Sequence, residues 1–250
     1  MPSQVTITNT GTFDVIAGNI PGKPFNVQPI PAPVNLTPDY WWRADSGLTT
    51  SGWTAYNGGI DFTFTSVATA SSATGAVFNG SSGFGLTPNL ASDITAKHVF
   101  LRVENFTAGT QDSMMGGTQN IIHEMGYVDG AYWYVVDVRP AGTIRYATRT
   151  TTNIAPSNLI WFDFTNASDV RVYLEDGASP TATLSTYAGT FTNNFIWQSG
   201  YGIYLARRGQ VSGGNGFTRM DVKELAIFTT ALTTEQAKEF RTDMLTRYPI

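Results

Sequence analysis

Cysteine is absent from this chain of 250 residues. That excludes a disulfide framework, a thiolate metal site and a cysteine nucleophile. Charged residues make up only 14% of the chain, histidines number 2, and the formal net charge is −4. No basic run is longer than Arg207-Arg208. Nucleic-acid and anionic-membrane binders carry a basic patch, so neither partner is expected. No apolar run approaches the ~18 residues that read as a membrane span, so no membrane insertion is expected. The opening MPSQVTITNTG has neither a basic n-region nor an apolar h-region. It predicts a protein made in a cytosol without a signal peptide.

Helical periodicity is also scarce. What replaces it is alternation. In AKHVFLRVEN, Val99, Leu101 and Val103 fall on one face, and His98, Phe100, Arg102 and Glu104 on the other. In AYWYVVDVRP, Tyr132, Tyr134, Val136 and Val138 alternate with Trp133, Val135, Asp137 and Arg139. DVRVYLEDG sets Val170, Val172 and Leu174 against Arg171, Tyr173 and Glu175. Each run has one apolar face and one mixed face. This predicts two antiparallel sheets packed face to face, with partly wet outer faces. A chain of this length buries about 70–75% of its unfolded surface, enough for a core without staples.

The tail breaks the pattern. Thr233 followed by Gln236 makes a capping box, and Ala237, Phe240, Met244, Leu245 and Tyr248 form one stripe at helical spacing. Glu235 in the first turn and Arg247 in the last suit the helix dipole, and Pro249 ends the element. Residues 1–38 are different again, with Pro21, Pro24, Pro29, Pro31, Pro33 and Pro38. Proline fixes φ and removes a ladder donor, so the segment is expected to be an extended arm. It is either a strap on its own domain or a docking arm for a neighbouring subunit. In the second case Ile20, Phe25, Val27 and Ile30 form the interface. The expected domains are therefore 1–38, the arm, and 39–250, the sandwich.

Strand, then TALTTEQ, then a helix ending in RY resembles the C-terminal signature of the concanavalin A-like lectin/glucanase superfamily, in its laminin-G/pentraxin-like branch. YWWRADSGL (Tyr40 to Leu48), AVFNGSSGFGL (Ala76 to Leu86) and DVRVYLEDG (Asp169 to Gly177) are similar to further segments of that family, in the same order. The resemblance spans about residues 40–250. It implies an all-β, two-sheet antiparallel jelly-roll sandwich closed by one C-terminal helix. It also implies Trp42 in the core, with Trp41 toward the other face or the arm. Relatives often bind calcium through loop oxygens, for which Asp45, Asp129 and Asp176 are the candidates here. They match no fixed calcium-loop spacing, so no cofactor is expected.

Catalytic signals are thin. The family's glucanases carry an E-x-D-x-(x)-E cluster, and retaining glycosidases need two carboxyls about 5–5.5 Å apart. Glu124 with Asp129, and Glu175 with Asp176, do not share one face of one strand and read as loop carboxylates. His123 lacks the second histidine of H-E-x-x-H, and both His98 and His123 read as solvated strand residues. RRGQVSGGNGF lacks the Lys-Ser/Thr of a phosphate loop and reads as a hairpin. A Ser-His-Asp triad has no G-x-S-x-G elbow to support it.

Trp133 beside Asp137 and Arg139 offers an aromatic plate next to polar groups. That combination suits sugar stacking, a subunit contact or a half-buried structural role. The expected function is a non-enzymatic structural or adhesion protein of an assembled particle, a bacteriophage virion above all, displaying a lectin-like domain. Its partners are then other copies, other particle proteins and a cell-surface glycan. A free carbohydrate-binding lectin module is the alternative. A glycan-cleaving enzyme is disfavoured by the missing carboxylate pair.

Overall fold

Two ten-residue strands, His98–Thr107 and Arg219–Phe228, pair antiparallel at the centre of the first sheet, with Val99 opposite Ile227 and Leu101 opposite Leu225. Leu159–Asp163 and then Val170–Leu174 extend the sheet on one side. On the other side Arg219–Phe228 takes two partners end to end: Gly75–Asn79 along its first half and Tyr40–Arg43 along its second. In spatial order the second sheet holds Leu48–Thr49, Gly52–Trp53, Phe62–Thr65, Phe84–Leu86, Ile203–Leu205, Ser113–Gly117, His123–Val128, Trp133–Val138 and Tyr146–Arg149. The strand Ala182–Gly189 joins both. Its start pairs with Val170–Val172 and its end with Tyr146–Arg149. The only helix among the described residues is Thr234–Arg247.

This computed structural model describes residues 36–67, 69–107, 113–117, 123–128, 133–138, 146–149, 157–166, 169–174, 182–189, 195–207 and 216–250. For 123–124, 127–128, 133–138, 146–149, 182 and 185–189 it describes backbone pairing alone. Leu36–Ile250 make up one compact unit. The arm, with Ile20, Phe25, Val27 and Ile30, lies outside the described residues.

Strand alternation sorts the apolar side chains into two cores. Trp42, Val99, Leu101, Val103, Ile160, Phe162, Val172, Leu225 and Ile227 face the second sheet, where they meet Trp53, Phe62, Phe64, Met115 and Leu205. Phe100, Leu159, Trp161, Tyr173, Ala226 and Phe228 face away from it, against Ala237, Phe240 and Met244 of the helix. Trp42 and Trp41 divide between the two cores as neighbouring strand residues must. The expected partly wet outer face is therefore corrected for this sheet, because the helix lies on it. Cover stops partway along. His98–Val103 are buried on both faces, whereas Glu104–Thr107 return to half-buried and exposed residues in turn.

A β-bulge at Lys223 decides where the buried charge goes. Val222 pairs with Val103 and Glu224 with Arg102, so Lys223 is the extra residue. Without it Glu224 would share the inward face of Met220 and Val222. The bulge turns Glu224 toward the helix, where a partner waits. Gly75 abuts this point at φ +73°, and a Cβ there would lie 2.3 Å from the Val222 carbonyl oxygen. Only glycine fits so close an approach at that φ.

Candidate functional site

On the outer face of the second sheet, Phe84, Tyr204 and Phe217 gather round Arg207. The Arg207 Cζ lies 4.7 Å from the Phe84 ring centre, 4.8 Å from that of Tyr204 and 5.2 Å from that of Phe217. Phe84 meets Tyr204 edge-on at 5.6 Å and Phe217 at 6.1 Å. All four side chains are half-buried. The strands explain the rings. Thr65 pairs with Phe84, and Tyr204 with Leu86, so alternation turns Phe84, Leu86 and Tyr204 outward while Phe64 and Leu205 point into the core.

Arg207 reaches that face only through a break in the pattern. Continued alternation after outward Tyr204 would turn Arg207 inward. Ala206 instead adopts φ +61° and is buried in the same core as Leu205. A positive φ is uncommon for any residue but glycine and needs support from its surroundings. Support comes from the Ala206 amide, which donates to the Met114 carbonyl at 2.8 Å, and from its carbonyl, which accepts from the Thr218 amide at 2.9 Å. The Thr218 hydroxyl donates to the Ser113 carbonyl at 2.6 Å. With two consecutive residues turned inward, Arg207 emerges beside Tyr204 and bridges to Phe217.

A second feature is an open cleft of about 490 Å³ between the loops 54–61 and 87–93, lined in part by Tyr40, Ile60, Asp61, Asn89 and Ser92. Its walls are tied down. The Ala55 amide donates to Asp61 Oδ1 at 2.9 Å, and the Asn57 side chain donates to the Pro38 and Asp39 carbonyls.

A group of buried charged side chains lies elsewhere, under the helix. Glu224 is fully buried. Trp41 Nε1 donates to its Oε1 at 2.6 Å, and Arg247 donates to Oε1 at 2.7 Å and to Oε2 at 3.1 Å. Burial pushes the Glu224 carboxyl up from its ordinary value, with Arg247 and Trp41 opposing. Arg102, also fully buried, donates to the Tyr248 and Pro249 carbonyls at 2.8 and 2.7 Å and to Glu104 at 2.9 Å. Lys223 pairs with Glu104 and donates to the Ala73 carbonyl. These groups fasten the helix end to the sheet. Their partners are internal, and Glu224 is closed off from solvent between Trp41 and Arg247.

His98 corrects the solvated reading of that residue. It is 1% exposed. Its Nε2 accepts the Leu232 amide at 2.9 Å, and its Nδ1 stands 3.1 Å from Trp161 Nε1 and 3.4 Å from Asp163 Oδ1. Burial pulls it down to about 4, with Asp163 opposing, so the ring is neutral at pH 7. Its partners are an indole, a carboxylate and an amide, which orient the ring rather than serve a nucleophile.

The remaining sequence candidates divide as follows. Trp133 and Asp137 belong to the strand Trp133–Val138, in which Trp133 pairs with Val128 and Asp137 with Glu124 and Ala147. Trp133 and Asp137 thus share one face with Glu124 by register, and Met125, the next residue of that partner strand, is buried in the inter-sheet core. Arg139, Asp129, Glu175 and Asp176 lie outside the described residues, as does everything beyond the backbone of His123. Asp45 is engaged by Arg43 at 2.5 Å, which together with its own amide holds its carboxyl low against burial. Among the described residues no cluster of three metal-ligating side chains occurs. The Phe84–Tyr204–Arg207–Phe217 group was missed in the sequence. The signal available was weak: outward aromatics in FGL and IYL, and an arginine and an aromatic at the two ends of a Gly-rich hairpin.

The class this architecture defines is a two-sheet antiparallel β-sandwich closed by a C-terminal helix. No protein-family model and no curated protein matches the chain. Solved structures do. A sialidase of Trypanosoma rangeli aligns at TM-score 0.52 and 12% identity, over 84% of this chain and 33% of that one. The same sialidase as a covalent intermediate with 2,3-difluorosialic acid gives 0.52 at 11% identity, with the same coverage. Domain 4 of an extracellular arabinanase from Geobacillus stearothermophilus, in complex with arabinotriose, aligns at 0.44 and 18% identity over 72% of this chain and 81% of that one. This chain spans about a third of the length of the sialidases it matches. At such identity the sialidase likeness is one of fold, consistent with the sandwich that the concanavalin A-like resemblance implies.

Proposed function

We propose that this chain is a non-enzymatic adhesion domain that binds glycan on the outer face of its second sheet, through Phe84, Tyr204 and Phe217 around Arg207. The observation that carries the reading is that three aromatic rings stand half-buried on a sheet face, fixed from below by strand register and by the Ala206 turn. Flat apolar rings with a polar neighbour suit the C–H faces and hydroxyls of a sugar, and rigid aromatics bind at low entropic cost. The strand of the sequence candidates Trp133 and Asp137 belongs to the same sheet. The non-catalytic reading is supported by the sealing of Glu224 inside an ion pair. The particle setting, a bacteriophage virion above all, is supported by the Pro-rich residues 1–38, whose apolar Ile20, Phe25, Val27 and Ile30 suit docking.

The test is a glycan array followed by titration of the hits, with reducing-sugar release measured on β-glucans. Binding should fall by about tenfold or more in Tyr204→Ala and in Phe217→Ala, as for aromatic anchors generally, with the strand-rich circular dichroism unchanged. No reducing sugar should appear. An array without signal would sink the adhesion reading. Turnover abolished by substituting Glu124 or Glu175 would replace it with an enzymatic one.

A further inference from the structure

We infer that the site on this face selects acidic saccharides, with the Arg207 guanidinium receiving the carboxylate of a uronic-acid-type sugar unit while the rings stack on its neighbours. The inference rests on the glycan-binding reading above and sharpens it to a ligand class. Arginine side chains elsewhere in the described structure show what this chain does with a guanidinium it uses for folding. Arg43 pairs with Asp45, Arg102 with Glu104 and four backbone carbonyls, and Arg247 with Glu224. Arg207 differs from these three. Among the described residues its guanidinium has ring neighbours but neither a carboxylate in ion-pair range nor a carbonyl in hydrogen-bond range. π faces attract the charge, yet they leave the N–H fork without ordinary acceptors.

That arrangement is held in place at a cost. Ala206 is kept at φ +61°, which turns Arg207 out of the core and into the ring cluster. Non-glycine residues in that region persist where surrounding structure over-determines them, often at binding sites. A guanidinium fork matches a carboxylate in two parallel hydrogen bonds, and such charge-assisted pairs are the strong ones. Rings packed around the group lower its exposure to water, which strengthens the pair and limits its screening by salt. The protein's net charge of −4 gives no long-range attraction for an anion. Recognition is therefore local, and it depends on the fork rather than on overall charge.

The experiment uses the full chain and a matched pair of probes, oligogalacturonate and its methyl ester, titrated calorimetrically at 0.15 M salt. Esterification removes the charge and leaves the rings of the sugar alone. The acid should bind about tenfold or more tighter than the ester. Arg207→Gln should erase that ratio while retaining ester binding, and Arg207→Lys, which keeps charge but loses the fork, should lose most of it. If acid and ester bind equally well to the unaltered protein, the inference is overturned and the glycan-binding reading stands. If both bind weakly and sialyllactose is preferred over lactose, the acidic class is upheld with a different sugar. If neither acid nor neutral glycan binds at all, the underlying reading falls. The acid–ester comparison requires no variant, so a misfolded Arg207→Gln would not protect the idea.

Discussion

His98 shows how position in a sheet can remake a polar side chain. In its strand it shares the mixed face with Phe100 and Arg102, yet it is sealed under the turn that leads into the helix, where Leu232 donates to it. The ring is neutral in the fold because burial pulls it down to about 4, with Lys97 adding and Asp163 opposing. An unfolded chain protonates the same residue near pH 6.5. The contribution is therefore fully present above that pH and is lost as pH falls from about 6.5 toward 4, by about 3 kcal/mol in all. Glu224, pushed up by burial, works in the opposite sense on acidification. Urea denaturation at steps between pH 7 and pH 4, on the natural protein and on His98→Asn, separates the two. The variant's stability should change less over that interval. Parallel curves would show that His98 does not titrate with folding.

The closing helix owes its position to the sheet under it. Its capping box is formed, with the Gln236 amide donating to Thr233 Oγ1 and the Thr233 amide to Gln236 Oε1. Capping starts the helix but cannot dock it; short helices draw most of their stability from packing. Phe240 supplies the dock. It is 1% exposed and meets Phe100 and Phe228 at 5.0 Å and Trp41 at 6.0 Å. Phe240→Ala should cost about 3–5 kcal/mol, read as a lower midpoint in urea. A loss under about 0.5 kcal/mol would mean the helix does not rest on the sandwich. The far end is held differently. Arg102 donates to the carbonyls of Tyr248 and Pro249, and the Tyr248 hydroxyl accepts the Asp45 amide at 3.1 Å.

At the scale of the molecule, covering one sheet with a helix leaves the other sheet to present a face outward. The arm belongs to this level. Proline fixes φ, so apolar residues set between prolines are expected to lose little entropy on docking. Deleting residues 1–35 should lower the mass seen by light scattering and prevent incorporation into particles, while leaving the sandwich folded. Unchanged mass and incorporation would make the arm a strap on its own domain and remove the main support for a particle role.

Alternation in HVFLRV and VRVYL was enough to announce strands with two distinct faces, and the 237/240/244 stripe enough to announce a helix with one apolar face to bury; the strand LIWFD became visible only in the structure. Both are local properties, set by the two-residue and 3.6-residue periods of the backbone itself. The face that the helix covers is not local. His98 meets Leu232 across 134 residues, and Trp41 meets Glu224 across 183. No window of sequence holds both partners, so His98 reads as wet until the fold brings the helix over it. The ring cluster at Arg207 lies further still from view. Its members come from two strands and from the bridge between Arg207 and Phe217, and its arginine faces outward because one residue, Ala206, takes φ +61° and breaks the alternation on which the strand readings depend. The sequence by itself determined the elements and their faces. Tertiary contacts alone decided which face is dry and which rings surround Arg207, because both depend on neighbours that only folding supplies.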